Sequence, residues 1–361
     1  NDNTGSGSDG NTGGNTGGTT GGNVSDTPSS PTVIADVNYI DANGEEKKET
    51  LPIIIDSDNG RTTIDIDSRI IPAEDGATVV ITIPAIPDVD TYIIRTLISD
   101  LSAADGNGFL TINTDIGNIT IPSDMLAGVS EISGDKVEIS IGQGDKSSLP
   151  ETVQDVIGDR PLIELSMSMD GKQIEWSNPN APVTISIPYT PTAEELANPE
   201  CIVIWYIDGS GNLVSVPNGR YDPDKGTVTF STTHFSGYAV GFNKVSFNDV
   251  PTDKWYNKAV SFIAARGITT GTGNNNYSPD KDLTRGEFIV MLMRAYGIDP
   301  DTNPKDNFSD AGDTYYTGYL AAAKRLGISE GVGNNLFAPD KKITRQEMFT
   351  LVYNALKAIG K

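Results

Sequence analysis

The sequence predicts a multidomain chain. A disordered N-terminal linker leads into an all-β, sandwich-like middle region, and α-helical repeats close the chain. Three observations predict this. The first thirty-odd residues are almost wholly Gly, Thr, Asn, Ser and Asp. The middle is a series of short β-branched runs broken by turns. Near residue 244 the apolar period changes from two to about 3.6, and two blocks there match each other, at a constant offset of 60 residues from their aromatic pair onward.

Composition bounds the rest. With 361 residues there is room for two or three domains. Hydrophobic residues make up 37% of the chain, enough for packed cores, and 38 Gly and 21 Pro imply many turns. The formal net charge is -23, with only 26 Lys and Arg, which argues against nucleic-acid binding because no basic run exists to neutralise phosphates. Acidity fits a protein in a crowded extracellular layer, although many cytosolic proteins share it. Runs such as Ile53 to Ile55 are far too short to span a bilayer. Asn1 opens in the middle of a linker-like tract, so we expect a mature or truncated form without its export signal. Cys201 and His234 are the sole cysteine and histidine. An intramolecular disulfide and a Cys/His zinc site are therefore excluded. Any Ser-His-Asp or Cys-His mechanism would have to use His234.

Residues 1–33 have no periodicity and nothing to bury, so they cannot offset the entropy of ordering. The repetitive GGNTGG pattern reads as a flexible spacer whose reach grows with the square root of its length. A disordered end with no role is the alternative.

Residues 34–243 read as a β-rich domain, either whole or as two lobes with a seam near 102–108. Val33 to Ile40, Thr62 to Asp67, Thr78 to Ile83, Tyr92 to Ile98, Phe109 to Asn113, Ile119 to Ile121 and Lys136 to Ile141 are strand candidates. So are Ile163 to Met169, Val183 to Ile187, Ile202 to Ile207, Leu213 to Val216, Thr227 to Ser231 and Tyr238 to Phe242. Such spacing indicates a sandwich or barrel rather than βαβ units. Two short helices are expected, Ser123 to Gly128 and Thr192 to Ala197. In the second, Thr192 and Glu195 have the spacing of a capping box.

Three features here have plain explanations. Asp56, Asp58 and Gly60 suggest a calcium loop, but an EF-hand needs Gly at position six and Glu at twelve. Gly60 is fifth and Asp67 twelfth, so a β-turn is the reading. His234 reads as a packed or hydrogen-bonded side chain. Asp88, Asp90, Asp100 and Asp105 could pair as in glycosidases, but acidic residues are so frequent that turn and surface roles explain them.

The repeats span 244–300 and 305–361. The first carries Phe247, Asp249, Trp255, Tyr256, Gly267, Gly271, Tyr277, Pro279, Thr284, Arg285 and Glu287. The second carries Phe308, Asp310, Tyr315, Tyr316, Gly327, Gly331, Phe337, Pro339, Thr344, Arg345 and Glu347. Each repeat reads as three helical pieces. Trp255 to Arg266 has Trp255, Ala259, Phe262 and Ile263 on one face and Gly267 as its C-cap. Thr284 starts the helix that runs to Tyr296. Tyr316 to Leu326 and Thr344 to Ala358 follow in the second copy. Thr284 with Glu287, and Thr344 with Glu347, are capping boxes. Capping leaves Arg285 and Arg345 unexplained, because a cation at the first helical position opposes the helix dipole. They are expected to face an anion together with free N–H groups. The competing reading is a structural salt bridge to Asp249 or Asp310.

These blocks resemble S-layer homology repeats, the modules that hold secreted bacterial proteins on cell-wall polysaccharide. The F-x-D start, the G-I-x-x-G turn and the T-R-x-E close carry the resemblance over the last third of the chain. The segment Thr232 to Phe242 likewise resembles the closing strand of β-domains found before such repeats, which implies a structural spacer. The resemblance implies a secondary cell-wall polysaccharide as ligand, often bearing a ketal-linked pyruvate. By motif position, Arg285 and Arg345 would take the carboxylate. Trp255 and Tyr315 would lie against the sugar. Gly271 and Gly331 would permit close backbone approach. Asp249 and Asp310 would accept sugar hydroxyls or orient the arginines. The family usually has three repeats in a pseudo-threefold prism, whereas two occur here, with Gly286 and Gln346 in place of the usual alanine. The expectation is a chain cut short; the alternative is completion by another molecule.

The leading expectation is thus a non-enzymatic anchor at the bacterial cell wall, with no cofactor, no metal and no catalytic residue. Its partner would be wall polysaccharide, with other S-layer or cell-surface proteins as further candidates. A lattice protein self-assembling through the β-domain is the alternative, and a polysaccharide-acting enzyme the third.

Overall fold

Alternation in the middle of the chain becomes strands in the order expected, and the computed structural model describes residues 33–40, 45–71, 76–103, 108–129 and 132–360. The linker expected over 1–33 lies outside these residues except for Val33. Asp105 also lies outside them. The first strands are β1 (Ile34–Ile40), β2 (Glu46–Pro52), β3 (Ile54–Asp56), β4 (Arg61–Asp65), β5 (Thr78–Thr82) and β6 (Thr91–Leu97). Next come β7 (Phe109–Asn113), β8 (Asn118–Pro122), β9 (Lys136–Gln143), β10 (Leu162–Met169), β11 (Lys172–Ile174) and β12 (Val183–Pro188). The last are β13 (Ile202–Ile207), β14 (Leu213–Val216), β15 (Arg220–Asp222), β16 (Thr227–Thr232) and β17 (Gly237–Phe242).

They form two sheets. One runs β15-β16-β12-β8-β7-β5-β1-β2, the other β14-β13-β17-β10-β9-β6-β4-β3 with β11 on β10. Pairing is antiparallel except for β4 with β6 and β5 with β7. Inward residues of both sheets, among them Ile81, Ile112, Ile119, Ile141, Leu165, Ile185 and Tyr238, share one core. Burial of those alternate side chains is the main force holding the sandwich. Strands before and after the segment 102–108 pair in both sheets, as β5 with β7 and β6 with β9, so two separate lobes do not occur.

Other expectations are corrected. Ser123 to Gly128 is a run of turns rather than a helix. Its carbonyls are drawn inward instead: Met125 O accepts the Trp176 indole N–H at 3.1 Å and the Asn178 amide at 3.0 Å. A helix absent from the sequence reading, α1 (Glu151–Ile157), packs Ile157 beneath Leu162 and Ala239. The helix α2 (Ala193–Ala197) has its capping box, and the buried Glu195 also holds Arg160 at 2.7 Å and the Tyr189 hydroxyl at 2.7 Å. Asp56 to Gly60 is the tight turn between β3 and β4, with Gly60 at φ +62°. His234 is half-buried against Tyr206, and burial pushes its imidazole below the ordinary value.

Each repeat contributes two helices, not three pieces: α3 (Asn257–Ala265) and α4 (Arg285–Ala295), then α5 (Thr317–Arg325) and α6 (Arg345–Ala358). The remaining pieces are turns, and Trp255 lies before α3 rather than on its buried face. The sandwich and the first repeat join through Arg266. Its guanidinium donates to Gly219 O at 2.8 Å, Glu200 O at 2.8 Å and Ile202 O at 2.9 Å, and lies 3.6 Å over the Phe262 ring. Burial, and then the nearby Arg220, push its pKa down to about 9, which leaves it charged at neutral pH.

Candidate functional site

The site is built where the two repeats meet. Each repeat begins with an aromatic anchor and an aspartate, Phe247 with Asp249 and Phe308 with Asp310. The Asp249 carboxylate accepts the backbone N–H of Tyr277 at 2.8 Å and of Ser278 at 2.7 Å. Asp310 accepts those of Phe337 and Ala338, both at 2.8 Å. Ser278 and Ala338 have φ of +60° and +57°, so each aspartate holds a loop in a conformation its residues disfavour. The Tyr277 amide first, then that of Ser278, hold the Asp249 carboxyl below its ordinary value. Both aspartates therefore clamp these loops.

The motif glycines serve the same loops. Gly271 and Gly331 both have φ of +80°. A Cβ at Gly331 would stand 2.3 Å from Leu336 O and 2.8 Å from the Phe308 ring. The close approach they permit in this structure is of the chain to itself.

Thr284 and Thr344 accept from the backbone N–H of Glu287 and Glu347, whose carboxylates accept the N-cap N–H in return at 2.8 Å. The N-terminus of α4 is then stitched onto the second repeat: Arg285 N–H donates to Lys341 O at 2.9 Å and Gly286 N–H to Pro339 O at 2.8 Å. A Cβ at Gly286 would stand 3.1 Å from the Tyr316 ring and 3.2 Å from Pro339, which accounts for glycine at that position. Arg285 itself is only 4% exposed. Its Nε donates to Phe337 O at 2.9 Å, Nη1 pairs with Glu347 at 2.9 Å, and the guanidinium stacks 4.6 Å over the Phe337 ring. Its anion is a carboxylate of this same chain. In this structure the partner of Arg285 is Glu347 rather than Asp249 or Asp310.

Helix α4 belongs to the core of the second repeat. Ile289 and Met293 are fully buried there with Leu320, Phe337 and Leu351. The equivalent positions of α6, Phe349 and Tyr353, are exposed, and so is Arg345. Equal motifs therefore occupy unequal environments, because only the first copy is followed by a second in the described residues.

What faces solvent at the equivalent aromatic position of each repeat is a large ring. Trp255 is 92% exposed and Tyr315 61%. Tyr315 packs edge-on to Tyr316 at 5.1 Å, and its hydroxyl is pushed up by burial and then by the Glu287 carboxylate. Arg294 on α4 also lies within electrostatic reach of it. Arg294 Nε donates to the Tyr319 hydroxyl at 3.2 Å, with the guanidinium 5.6 Å from the Tyr319 ring. Arg294 and Arg266 were not singled out from the sequence, although one signal existed: their counterparts are Asn354 and Leu326, so both arginines break the internal repeat. A separate cavity of about 580 Å³ at the end of the sandwich is lined by Asp115, Gln143, Lys146 and Arg160. Its cations are occupied, Lys146 by Gly158 O at 2.7 Å and Arg160 by Glu195.

The family described as S-layer homology domain matches residues 246–289 and 307–349. The helical region is a pair of S-layer homology domains. Its relatives agree. The chain is 32% identical over 112 residues to the S-layer protein sap of Bacillus anthracis, covering 31% of this chain and 14% of that protein. It is 28% identical over 264 residues to an amylopullulanase of Thermoanaerobacterium thermosulfurigenes, covering 73% of this chain and 13% of that protein. It is 32% identical over 171 residues to exoglucanase XynX of Acetivibrio thermocellus, covering 46% and 14%. The amylopullulanase match is longer than the S-layer homology pair, so it extends into the sandwich. The chain spans about one seventh of the length of these relatives. With this domain pair the protein belongs to the bacterial cell surface, in the cell wall or S-layer. No helix among the described residues is long and apolar enough to cross a membrane.

Proposed function

We propose that the S-layer homology pair anchors this chain by binding secondary cell-wall polysaccharide, with pyruvylated sugar as the preferred unit, and that the sandwich is a non-catalytic spacer. The observation that carries this is the exposure of Trp255 and Tyr315 at equivalent positions of two rigidly joined repeats. Large aromatics left in water at matched sites are the surface a pyranose face needs. The rigid Arg266 contact to the sandwich supports a presenting role, because it fixes the direction in which the spacer leaves the wall. The amylopullulanase and exoglucanase relatives support a module that tethers a separate catalytic unit.

Co-sedimentation of the chain with wall fragments tests the reading. Binding is expected to fragments that retain the polysaccharide, to fall sharply once it is stripped, and to fall again when pyruvate is removed by mild acid. Equal sedimentation with stripped walls overturns anchoring; equal binding with and without pyruvate overturns the pyruvate preference. A Trp255→Ala, Tyr315→Ala double variant should lose binding while keeping its helical circular dichroism.

A further inference from the structure

Two arginines meet at the join between the sandwich and the first repeat. Arg266 ends α3, and Arg220 opens the edge strand β15. Both donate to one oxygen. Gly219 O accepts Arg266 Nη2 at 2.8 Å, Arg266 Nε at 3.2 Å and Arg220 Nη1 at 2.9 Å. A carbonyl oxygen has two lone pairs, so three N–H donors oversubscribe it. Both guanidinium groups also lie over the Phe262 ring of α3, Arg266 at 3.6 Å and Arg220 at 4.2 Å. Every hydrogen bond of the Arg266 side chain goes to a carbonyl, on Gly219, Glu200, Phe262 or Ile202. Carbonyls satisfy its donors but do not neutralise its charge. Arg220 gives Nη1 to Pro217 O and Gly219 O, both at 2.9 Å, while its Nε and Nη2 have no hydrogen bond among the described residues. Neither arginine has an ion pair among the described residues, although Arg69, Arg95, Arg160, Arg285 and Arg325 each hold a carboxylate. Two acids close in sequence are turned elsewhere. Asp222 accepts the N–H groups of Asp224 and Lys225, and Glu200 meets Arg266 through its carbonyl. In a chain of net charge -23, such a pair of cations reflects placement, since acids are plentiful.

We infer that Arg220 and Arg266 form an oxyanion site at this join, which takes a phosphate- or carboxylate-type group presenting two oxygens to the free Nε and Nη2 edge of Arg220. A guanidinium edge with two N–H groups side by side matches two oxygens in parallel. The two carbonyls on Nη1 and the Phe262 ring hold the Arg220 group in place before the anion arrives, which lowers the ordering cost of binding. Arg266 is 3% exposed, so its charge reaches the anion through protein as well as water and is weakly screened. The bound anion offsets the repulsion between the two cations, and so tightens the sandwich against the first repeat. Polysaccharide binding at the exposed aromatics plays no part in this site.

Isothermal titration of the whole chain with inorganic phosphate and with acetate, in chloride at matched ionic strength and neutral pH, tests this. Thermal unfolding in the same buffers accompanies it. Wild type is expected to bind phosphate with a Kd of about 1 mM and to unfold at a higher temperature in phosphate than in chloride. Acetate should bind more weakly, because it brings a single charge to two cations. Arg220→Gln should weaken phosphate binding at least about ten-fold and lose the phosphate-dependent rise, whatever its own stability in chloride. Arg220→Lys should keep part of the binding, since a point charge remains without the fork. Arg61→Gln, at an exposed arginine of β4, should bind as wild type. Absence of saturable phosphate binding in wild type, or equal binding by Arg220→Gln, overturns the site. Acetate binding as tight as that of phosphate overturns the part given to Arg266.

Discussion

Replacing Arg285 with methionine should loosen the two repeats from each other, and the structure sets the size of the effect. The side chain is 4% exposed and makes three contacts that methionine cannot make. Loss of the charge-assisted bond to Phe337 O, at 2.9 Å, costs about 1.5–3 kcal/mol, since that carbonyl is left without its donor. Loss of the stack on Phe337, at 4.6 Å, costs about 0.5–2 kcal/mol. Release of Glu347 adds under about 1 kcal/mol, because that carboxylate is partly solvated and keeps the Thr344 N–H and hydroxyl. Together these give about 2–6 kcal/mol, which brackets the loss of about 3–5 kcal/mol seen when one member of a buried pair is removed. Urea unfolding followed by helical circular dichroism is the assay, and with a slope of about 1–3 kcal/mol per molar the midpoint should fall by roughly 1 M or more. Arg345→Met, at the exposed equivalent position, should change stability by less than about 0.5 kcal/mol. If the two variants behave alike, or if Arg285→Met is within about 0.5 kcal/mol of wild type, the inter-repeat role of Arg285 is wrong.

Three further outcomes are expected. Gly331→Ala should cost more than about 2 kcal/mol, combining a left-handed backbone penalty with a Cβ placed 2.3 Å from Leu336 O, and thermal unfolding will show it. Arg266→Met should cost about 3 kcal/mol by leaving the Gly219 and Ile202 carbonyls unsatisfied, and limited proteolysis should then separate sandwich from repeats. Asp249 should make the first repeat acid-sensitive. Its folded carboxyl lies below the ordinary value, so its contribution is present above the unfolded pKa of about 4 and is lost as pH falls through the folded value. Amide exchange at Tyr277 and Ser278 should accelerate there, and an Asp249→Asn variant should show no such pH step.

Much of this architecture could be read from the chain, for identifiable reasons. Tyr92 to Ile98 and Lys136 to Ile141 alternate because one side of each strand meets the opposing sheet and the other meets water. The helix starts at Thr284 and Thr344 were visible because capping is a local geometry. β2 was not visible, since its Glu46-Lys-Lys-Glu-Thr run sits at a sheet edge with little to bury. Charged side chains on such an edge discourage pairing with other chains, but they erase the periodic signal. Arg285 shows the limit most clearly. Its position at the first turn of a helix announced an anion, and the anion lies 62 residues away in Glu347, supplied by the fold. The partners of the F-x-D aspartates were hidden for the same reason: they are backbone amides nearly thirty residues downstream, which spacing alone does not bring near.

The core of the second repeat is completed by α4, a helix from the first. Stability therefore resides in the seam, and the seam is a property of neighbours rather than of any one copy. In such an arrangement, gaining or losing a repeat changes the number of seams, and hence the valence toward a long polymer, without altering a single contact residue. Avidity for a polymer rises steeply with valence at fixed affinity per site. On the anchoring function proposed above, the grip of such a chain on a wall can thus be tuned by copy number.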